Sequence, residues 1–211
     1  MAAERRDYME EEYEQLMNIR TGIHLEDIKQ KMNVHYNPYE PTPYAALDIL
    51  FQQYKLDSSD QIVDFGCGKG RLAFYIHYFF HAAVTGVEMS EALYNEAVEN
   101  KDYYVEQVPD GEEQIQFCCC LAEEYDIHPL DNRFYFFNPF SIQVFYKIIR
   151  NILLSMEQSG RDVELVLYYP SEEYIMFLEN QTIFELKEEI QLPGLYENNP
   201  SEKFLVYWVP Y

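Results

Sequence analysis

Apolar and polar positions along the chain follow a loosely helical spacing at first and then change to short apolar runs separated by amphipathic stretches. Over residues 4–32, apolar residues recur at helical spacing among charges, with a break near Thr21 and Gly22, which predicts helix. The next segment, YNPYEPTPY (residues 36–44), has three prolines in nine residues and is incompatible with a regular helix. A second helix is predicted over residues 44–54.

Beyond this point the pattern alternates between strands and helices. Apolar runs bounded by turn residues predict strands at residues 61–65, 83–87, 115–121, 133–138, 163–169, 182–192 and 203–209. The intervening patterns predict helices at residues 71–81, 91–99, 141–158 and 171–179, the second of them capped by Ser90. Such alternation predicts the α/β class, with a mostly parallel seven-stranded sheet, helices on both faces and a C-terminal antiparallel hairpin.

The predicted organisation is one domain preceded by an extension. Residues 1–35 are interpreted as an N-terminal helical extension or lid, and residues 36–211 as the α/β domain. A chain of 211 residues is long enough for one well-buried domain of this kind and short for two.

The charge balance narrows the choice of partners. The chain has 15 Lys and Arg against 37 Asp and Glu, a formal charge of -22. Proteins that bind nucleic acid through its phosphates need a basic surface, so nucleic acid is disfavoured as a partner. No apolar run approaches the roughly 20 residues that span a bilayer, and the charged N-terminus does not resemble a signal peptide. We therefore expect a cytoplasmic protein without membrane contact, and the many aromatic residues make a homodimer plausible.

The four cysteines do not predict a metal site. Cys118, Cys119 and Cys120 are consecutive in a predicted strand, where neighbouring side chains point to opposite faces and do not converge on one ion. The sequence also contains no CxxC or HExxH motif. We expect reduced thiols and no bound metal.

Three glycines alternate with other residues after the first predicted strand, in VDFGCGKGR (residues 63–71). A P-loop requires G-x-x-x-x-G-K-[ST], but here Lys69 precedes Gly70 and no hydroxyl residue follows. The dinucleotide fingerprint G-x-G-x-x-G requires glycine where Arg71 stands. The spacing therefore excludes both phosphate-binding motifs.

Acidic residues lie at the ends of the first two predicted strands. Asp64 precedes the glycines and would repel a pyrophosphate, so its position favours a ligand with positive charge. Glu88 lies 22 positions beyond Gly66, about where a carboxylate accepts hydrogen bonds from ribose hydroxyls. S-adenosylmethionine carries an ammonium, a sulfonium and an adenosine but no phosphate. It is the cofactor that these residues predict.

VDFGCGKGR followed by VTGVEMS closely resembles the class I S-adenosylmethionine-dependent methyltransferases, which have a Rossmann-like fold, and the resemblance extends from about residue 36 to the C-terminus. It implies that the glycine loop binds the methionine part of the cofactor, that Glu88 holds the ribose and that Met89 packs on the adenine. Many members have Asp-Ala after the third strand, where this chain has Leu121-Ala122-Glu123, so Ala122 or Glu123 is expected beside the adenine. The cofactor-binding residues implied in and around the loop are Asp64, Gly66, Cys67, Gly68 and Gly70.

The sequence FFNPFS ends the fourth predicted strand, where this family places residues between cofactor and substrate. It resembles the [DN]-P-P-[FY] tetrad of amino-group methyltransferases, although Asn138-Pro139-Phe140 has only one proline. The resemblance implies that Asn138 contacts both the cofactor and an amine acceptor. The alternative is a strand-to-helix turn with Phe140 in the core.

In related enzymes a segment at the position of YNPYEPTPY folds over the methionine end of the cofactor. Tyr36, Tyr39, Thr42 and Tyr44 are therefore candidates for lining the site, with Tyr36 and Thr42 expected at the cofactor and Tyr44 in catalysis. His35 is a candidate base. Alternatively, these tyrosines only pack against the N-terminal helices.

The predicted function is methyl transfer from S-adenosylmethionine to a small molecule or a protein side chain, with an amine as one candidate acceptor. The cofactor already carries the chemical activation, so no catalytic triad is required. A non-catalytic S-adenosylmethionine-binding module is the alternative of a different class, and a nucleic-acid N-methyltransferase is a third. An NAD-dependent oxidoreductase is the weakest competitor.

Overall fold

The computed structural model describes residues 2–23 and 37–210. Its helices are α1 (Ala2–Met17), α2 (Tyr44–Gln53), α3 (Arg71–Phe80), α4 (Glu91–Gln107), α5 (Gly111–Gln114), α6 (Ile142–Gln158) and α7 (Glu172–Gln181). Its strands are β1 (Gln61–Phe65), β2 (Ala83–Glu88), β3 (Ile115–Cys119), β4 (Arg133–Phe137), β5 (Val163–Tyr168), β6 (Glu185–Gln191) and β7 (Lys203–Val209). The predicted parallel sheet with a closing hairpin is confirmed.

The seven strands form one sheet in the order β3-β2-β1-β4-β5-β7-β6. Strands β1 to β5 are parallel, while β7 runs antiparallel to both β5 and β6. The chain moves outward from β1 to β3 and then crosses back to β4 on the other side of β1. Because the strand order reverses beside β1, the carboxyl end of β1 is the switch point at which open α/β sheets bind ligands.

Alternation along β1 assigns the two faces of the sheet. Ile62 packs in a core cluster with residues of α2 and α3, whereas Val63 and Phe65 pack in a second cluster with α6 and α7. Side chains two positions apart share a face, so Asp64 points to the same side as Ile62, towards α2 and α3. Both faces of the sheet are thus covered by helices, and the one carboxylate in β1 lies on the side of the N-terminal helices.

The described part of the N-terminal extension packs into the same core as the domain. Met17 and Thr21 are fully buried, Ile19 is nearly so, and the ring of Tyr13 stacks on Tyr44 at a centroid distance of 4.6 Å. Residues 24–36, which include the later part of the predicted first helix, lie outside the described residues. The domain boundary at residue 35 therefore stays a prediction.

Several element boundaries differ from the predicted ones, among them the start of β6, which lies at Glu185 rather than at residue 182. Helix α4 continues eight residues beyond the predicted end at residue 99, because Asn100 and Tyr104 extend its buried face by one further turn. Strand β3 ends at Cys119 rather than at residue 121, since Ala122 begins a short 3-10 helix. The predicted cap is confirmed: Ser90 Oγ accepts a hydrogen bond from the N–H of Leu93.

Among the described residues, no helix is both long and apolar enough to cross a membrane. The cytoplasmic location and the homodimer stay predictions.

Candidate active site

The glycine loop after β1 is held against the end of β2. The backbone N–H groups of Gly66 and Cys67 donate to the carbonyl of Val87 at 2.8 and 3.2 Å. The N–H of Gly70 donates to the carbonyl of Cys67 at 2.9 Å and closes the turn into α3. The loop therefore lies at the switch point of the sheet.

Two of the glycines allow close contact with other candidate site segments. Gly68 has φ +55°, and a Cβ there would lie 2.0 Å from Cε2 of Tyr39. Gly66 has φ +80°, and a Cβ there would lie 2.9 Å from Cβ of Pro139. Side chains are strained at such φ values and would also clash, so glycine is required for both reasons. The loop thereby brings together YNPYEPTPY and the Asn-Pro-Phe turn.

Asp64 and Glu88 form a buried acidic pair beside this loop. Burial, together with the charge of Glu88, raises the pKa of Asp64 to about 8. Burial also raises the pKa of Glu88, although hydrogen bonds from the backbone N–H groups of Ser90, Gly68 and Met89 oppose the shift. Two carboxyl groups that are costly to ionise in the free protein favour a ligand that brings positive charge or hydroxyl donors.

Glu88 is held in a fixed orientation. Its Oε2 accepts from the N–H of Gly68 at 3.0 Å and its Oε1 accepts from the N–H of Ser90 at 2.8 Å. The side chain therefore links the glycine loop to the end of β2 and places its remaining lone pairs at the carboxyl edge of the sheet. Met89 follows Glu88 in the chain and is half-buried.

The third predicted contact region lies at the end of β3. The N–H of Cys120 donates to the carbonyl of Glu88 at 3.1 Å, which brings the following turn beside β2. Ala122 is buried there, while the Glu123 carboxylate forms an ion pair with Lys147 of α6 at 3.2 Å. Of these two candidates, Ala122 therefore fits a ligand-lining position better than the carboxylate of Glu123.

The Asn-Pro-Phe turn follows β4. Asn138 has φ +39°, a left-handed conformation that asparagine tolerates better than most residues. Phe140 is buried in the core, and its carbonyl accepts a hydrogen bond from the hydroxyl of Tyr174 at 2.6 Å. The turn thus has a core side chain, as the structural alternative expects, together with a strained Asn138 at the carboxyl edge.

The predicted residues of YNPYEPTPY are distributed over different environments. Tyr36 and His35 lie outside the described residues. The hydroxyl of Thr42 is hydrogen-bonded to that of Tyr135 at 2.7 Å, and both side chains are buried. Tyr135 is the register partner of Asp64 in β4, so Thr42 is fixed close to the acidic pair.

Tyr44 lies in the core of the structure. Its side chain is fully buried, with the ring stacked on Tyr13 and the guanidinium carbon of Arg71 4.3 Å from the ring centroid. In this structure the side chain packs in the core, and the expected catalytic role of Tyr44 stays a prediction.

The sequence interpretation missed the two cations of the glycine loop. Lys69 is fully buried, where its Nζ donates to the carbonyl of Gly22 at 3.1 Å and pairs with Glu96 at 2.9 Å. Arg71 donates from Nε to the hydroxyl of Thr21 at 2.7 Å and also pairs with Glu10 and Glu14. The polar partners come from a distant part of the chain, so local patterning contained no signal for this contact.

Comparisons with known proteins agree on the fold. No model of a known protein family matches the chain, and no curated protein matches it significantly. An RNA methyltransferase from Salinibacter ruber, crystallised with S-adenosyl-L-homocysteine, is 18% identical over 81% of this chain and 94% of its own, with a TM-score of 0.56.

Two other similar structures carry different chemistry. The [4+2]-cyclase SpnF is 14% identical over 84% of this chain and 87% of its own, with a TM-score of 0.58. Geranyl diphosphate C-methyltransferase from Streptomyces coelicolor is 11% identical over 78% of this chain and 77% of its own, with a TM-score of 0.50. The chain therefore has the Rossmann-like fold of the class I methyltransferases.

Proposed function

We propose that this protein is an S-adenosylmethionine-dependent methyltransferase. The observation that carries the proposal is the buried pair of Asp64 and Glu88 on either side of the glycine loop, at the switch point of a class I methyltransferase fold. A cationic, phosphate-free cofactor satisfies this pair, and the nucleotide phosphates of NAD do not.

The residues at the loop divide the binding of the cofactor between them. Asp64 binds its ammonium end, the backbone around Gly66 and Gly68 contacts the methionine part, and Glu88 accepts from the ribose hydroxyls. Met89 and Ala122 line the adenine. The cofactor supplies an activated methyl group, so the protein has to orient an acceptor and exclude water.

The acceptor is assigned to the Asn-Pro-Phe turn. The side chain of Asn138 and the backbone carbonyls of the turn are suited to hold an NH group, which favours an amine acceptor. Its nitrogen lone pair forms the bond to the methyl carbon as the carbon–sulfur bond breaks. The bonding pair stays on sulfur, and the nitrogen loses one proton.

The charges around the site favour a small molecule or a protein side chain over nucleic acid. The segments that follow the carboxyl ends of β2, β3 and β5, including the first turns of α4 and α7, carry the exposed acids Glu91, Glu124, Asp126, Glu172 and Glu173. Phosphates approaching this edge would be repelled, whereas a cationic amine would be attracted.

RNA is the second candidate acceptor. It is supported by the names of similar structures, since those from Salinibacter ruber and Streptococcus thermophilus are named as an RNA methyltransferase and an rRNA methylase. We rank it below an amine on a small molecule or protein because of the acidic carboxyl edge.

Binding of S-adenosylhomocysteine by calorimetry tests the cofactor assignment, and its absence would overturn the whole proposal. Transfer of a labelled methyl group from S-adenosylmethionine is then measured with small amines, basic proteins and RNA. Asn138→Ala should abolish transfer but retain cofactor binding, whereas the exposed Asn198→Ala should change neither. Binding without transfer to any acceptor would favour the non-catalytic module.

A further inference from the structure

Asn37 forms hydrogen bonds with the backbone carbonyls that the proposed function assigns to binding of the acceptor. Its side-chain Nδ2 donates to the carbonyl of Asn138 at 2.5 Å, and its backbone N–H donates to the carbonyl of Pro139 at 3.0 Å. A carboxamide NH₂ donates two hydrogens, as the NH₂ of an acceptor amine does. The protein thus places an NH₂ group of its own where an acceptor is expected.

Tyr39, two residues further on, covers the glycine loop. Its ring lies so close to Gly68 that a Cβ on the glycine would be 2.0 Å from Cε2 of the tyrosine. The ring is held from two sides, since its hydroxyl donates to the carbonyl of Thr21 at 2.6 Å and Lys69 Nζ lies 5.4 Å from its centroid. Residues 37–43, which we call the strap, therefore cover both the acceptor turn and the glycine loop.

The two ends of the strap are held unequally. At its C-terminal end Thr42 is buried, with its hydroxyl bonded to Tyr135 and its carbonyl bonded to Arg71 at 3.2 Å. At the other end Asn37 and Pro38 are exposed to solvent. Hydrogen bonds at an exposed position exchange readily with water, so the end bearing Asn37 is the one that can be released.

Three prolines stiffen the strap itself. Pro38, Pro41 and Pro43 fix their own φ angles and restrict the residues before them. A release at Asn37 is therefore transmitted along the segment to Tyr39, and the motion pivots about the fixed Thr42.

We propose that the strap is an intramolecular plug: in the ligand-free protein Asn37 takes the place of the acceptor NH group and Tyr39 covers the glycine loop. Ligands enter when the hydrogen bonds of Asn37 break. The inference rests on the proposed function, which assigns the ligands to these two places. Ligand binding displaces a plug from the site, whereas it closes a lid over the site.

The test compares S-adenosylhomocysteine binding by the full chain and by Asn37→Ala and Asn37→Asp. Each variant loses the side-chain hydrogen bond, and the aspartate is also repelled by the carbonyl of Asn138. We expect the association rate and the affinity to rise by about two- to tenfold, the equivalent of one hydrogen bond. Asn180→Ala is the matched control, because Asn180 is also exposed and its Nδ2 donates to the carbonyl of Met176 at 2.8 Å, in α7. It should leave both values unchanged.

Hydrogen exchange of the strap shows whether ligand binding opens it, as expected of a plug, or closes it, as expected of a lid. S-adenosylhomocysteine should increase exchange at the amide of Asn37 in the parent protein, whereas increased protection would identify a lid and overturn the plug. Parent-like binding by both Asn37 variants would also overturn the plug and leave the proposed function intact. Absence of binding by the parent and by every variant would overturn both.

Discussion

The carboxylate of Glu88 at the end of β2 accepts a hydrogen bond from the backbone N–H of Gly68, twenty residues earlier in the glycine loop, at 3.0 Å. This single contact ties the two halves of the proposed cofactor site together. It also fixes the direction in which Glu88 presents its remaining lone pairs.

Glu88→Ala should weaken S-adenosylhomocysteine binding by about ten- to a hundredfold, because hydrogen bonds to a charged acceptor are lost together with the anchor of the loop. Glu88→Gln keeps one acceptor oxygen and should lie between the alanine variant and the parent. Calorimetry measures both. Glu91→Ala removes an exposed carboxylate three residues away and should bind like the parent, and equal binding by Glu88→Ala would refute the ribose assignment.

Cofactor binding should release a proton. With its pKa raised to about 8 by burial and by Glu88, Asp64 is mostly protonated at neutral pH in the free protein, and a bound cation favours its ionised form. The affinity for S-adenosylhomocysteine should therefore rise from about pH 6 to about pH 8, and calorimetry in buffers of different ionisation enthalpy should detect the proton. Asp64→Asn should bind weakly without this pH dependence, while the exposed Asp57→Asn should retain it. Proton uptake on binding would contradict the assignment.

The same group makes the stability of the ligand-free protein depend on pH. The pKa of Asp64 is about 8 in the folded protein and 3.8 in the unfolded chain. The contribution of Asp64 to the free energy of unfolding is therefore fully present below pH 3.8 and is lost as the pH rises through about 8. The free energy of unfolding of the parent should therefore fall relative to that of Asp64→Asn between those limits. Urea unfolding at both ends of the range measures the difference, and a constant difference would show that Asp64 titrates normally.

Gly68→Ala should destabilise the protein more than Gly194→Ala. Both glycines have positive φ, at +55° and +81°, so each substitution introduces backbone strain of about 1 kcal/mol. A Cβ at Gly194 meets nothing within 4 Å, whereas one at Gly68 overlaps the ring of Tyr39. Thermal unfolding compares the two variants. Adding Tyr39→Ala to Gly68→Ala should recover part of the binding of S-adenosylhomocysteine, and no recovery would place the damage in the loop backbone alone.

Arg71→Met should lower the free energy of unfolding by roughly 3 kcal/mol, since removing one partner leaves Glu10, Glu14 and the hydroxyl of Thr21 without their buried donor. The control is Lys147→Met, which removes an exposed ion pair with Glu123 and should cost less than about 1 kcal/mol. Urea unfolding measures both. Equal effects would mean that the N-terminal extension is not held through Arg71.

Elements with a strong local pattern were predicted well. The strands from β1 to β5 and the closing hairpin follow from apolar runs of the right length bounded by turn residues, because burial on a sheet requires that pattern wherever the partner strands lie. The end of α4 was placed too early, because the polar Asn100 gives no apolar signal although it is buried against the carbonyls of Arg20 and Lys69.

The sequence by itself determined the order of strands and helices and the glycine loop between two acidic strand ends, since periodicity, turn residues and glycine spacing are local properties of the chain. Only the tertiary structure decided what lies on that loop. Asn37 meets Asn138 across 101 positions, Arg71 meets Glu10 across 61, and Tyr44 is enclosed between Tyr13 and Arg71. Such contacts depend on how distant segments pack after folding, because a polar side chain has the same local pattern whether its partner is water, a ligand or a distant part of its own chain.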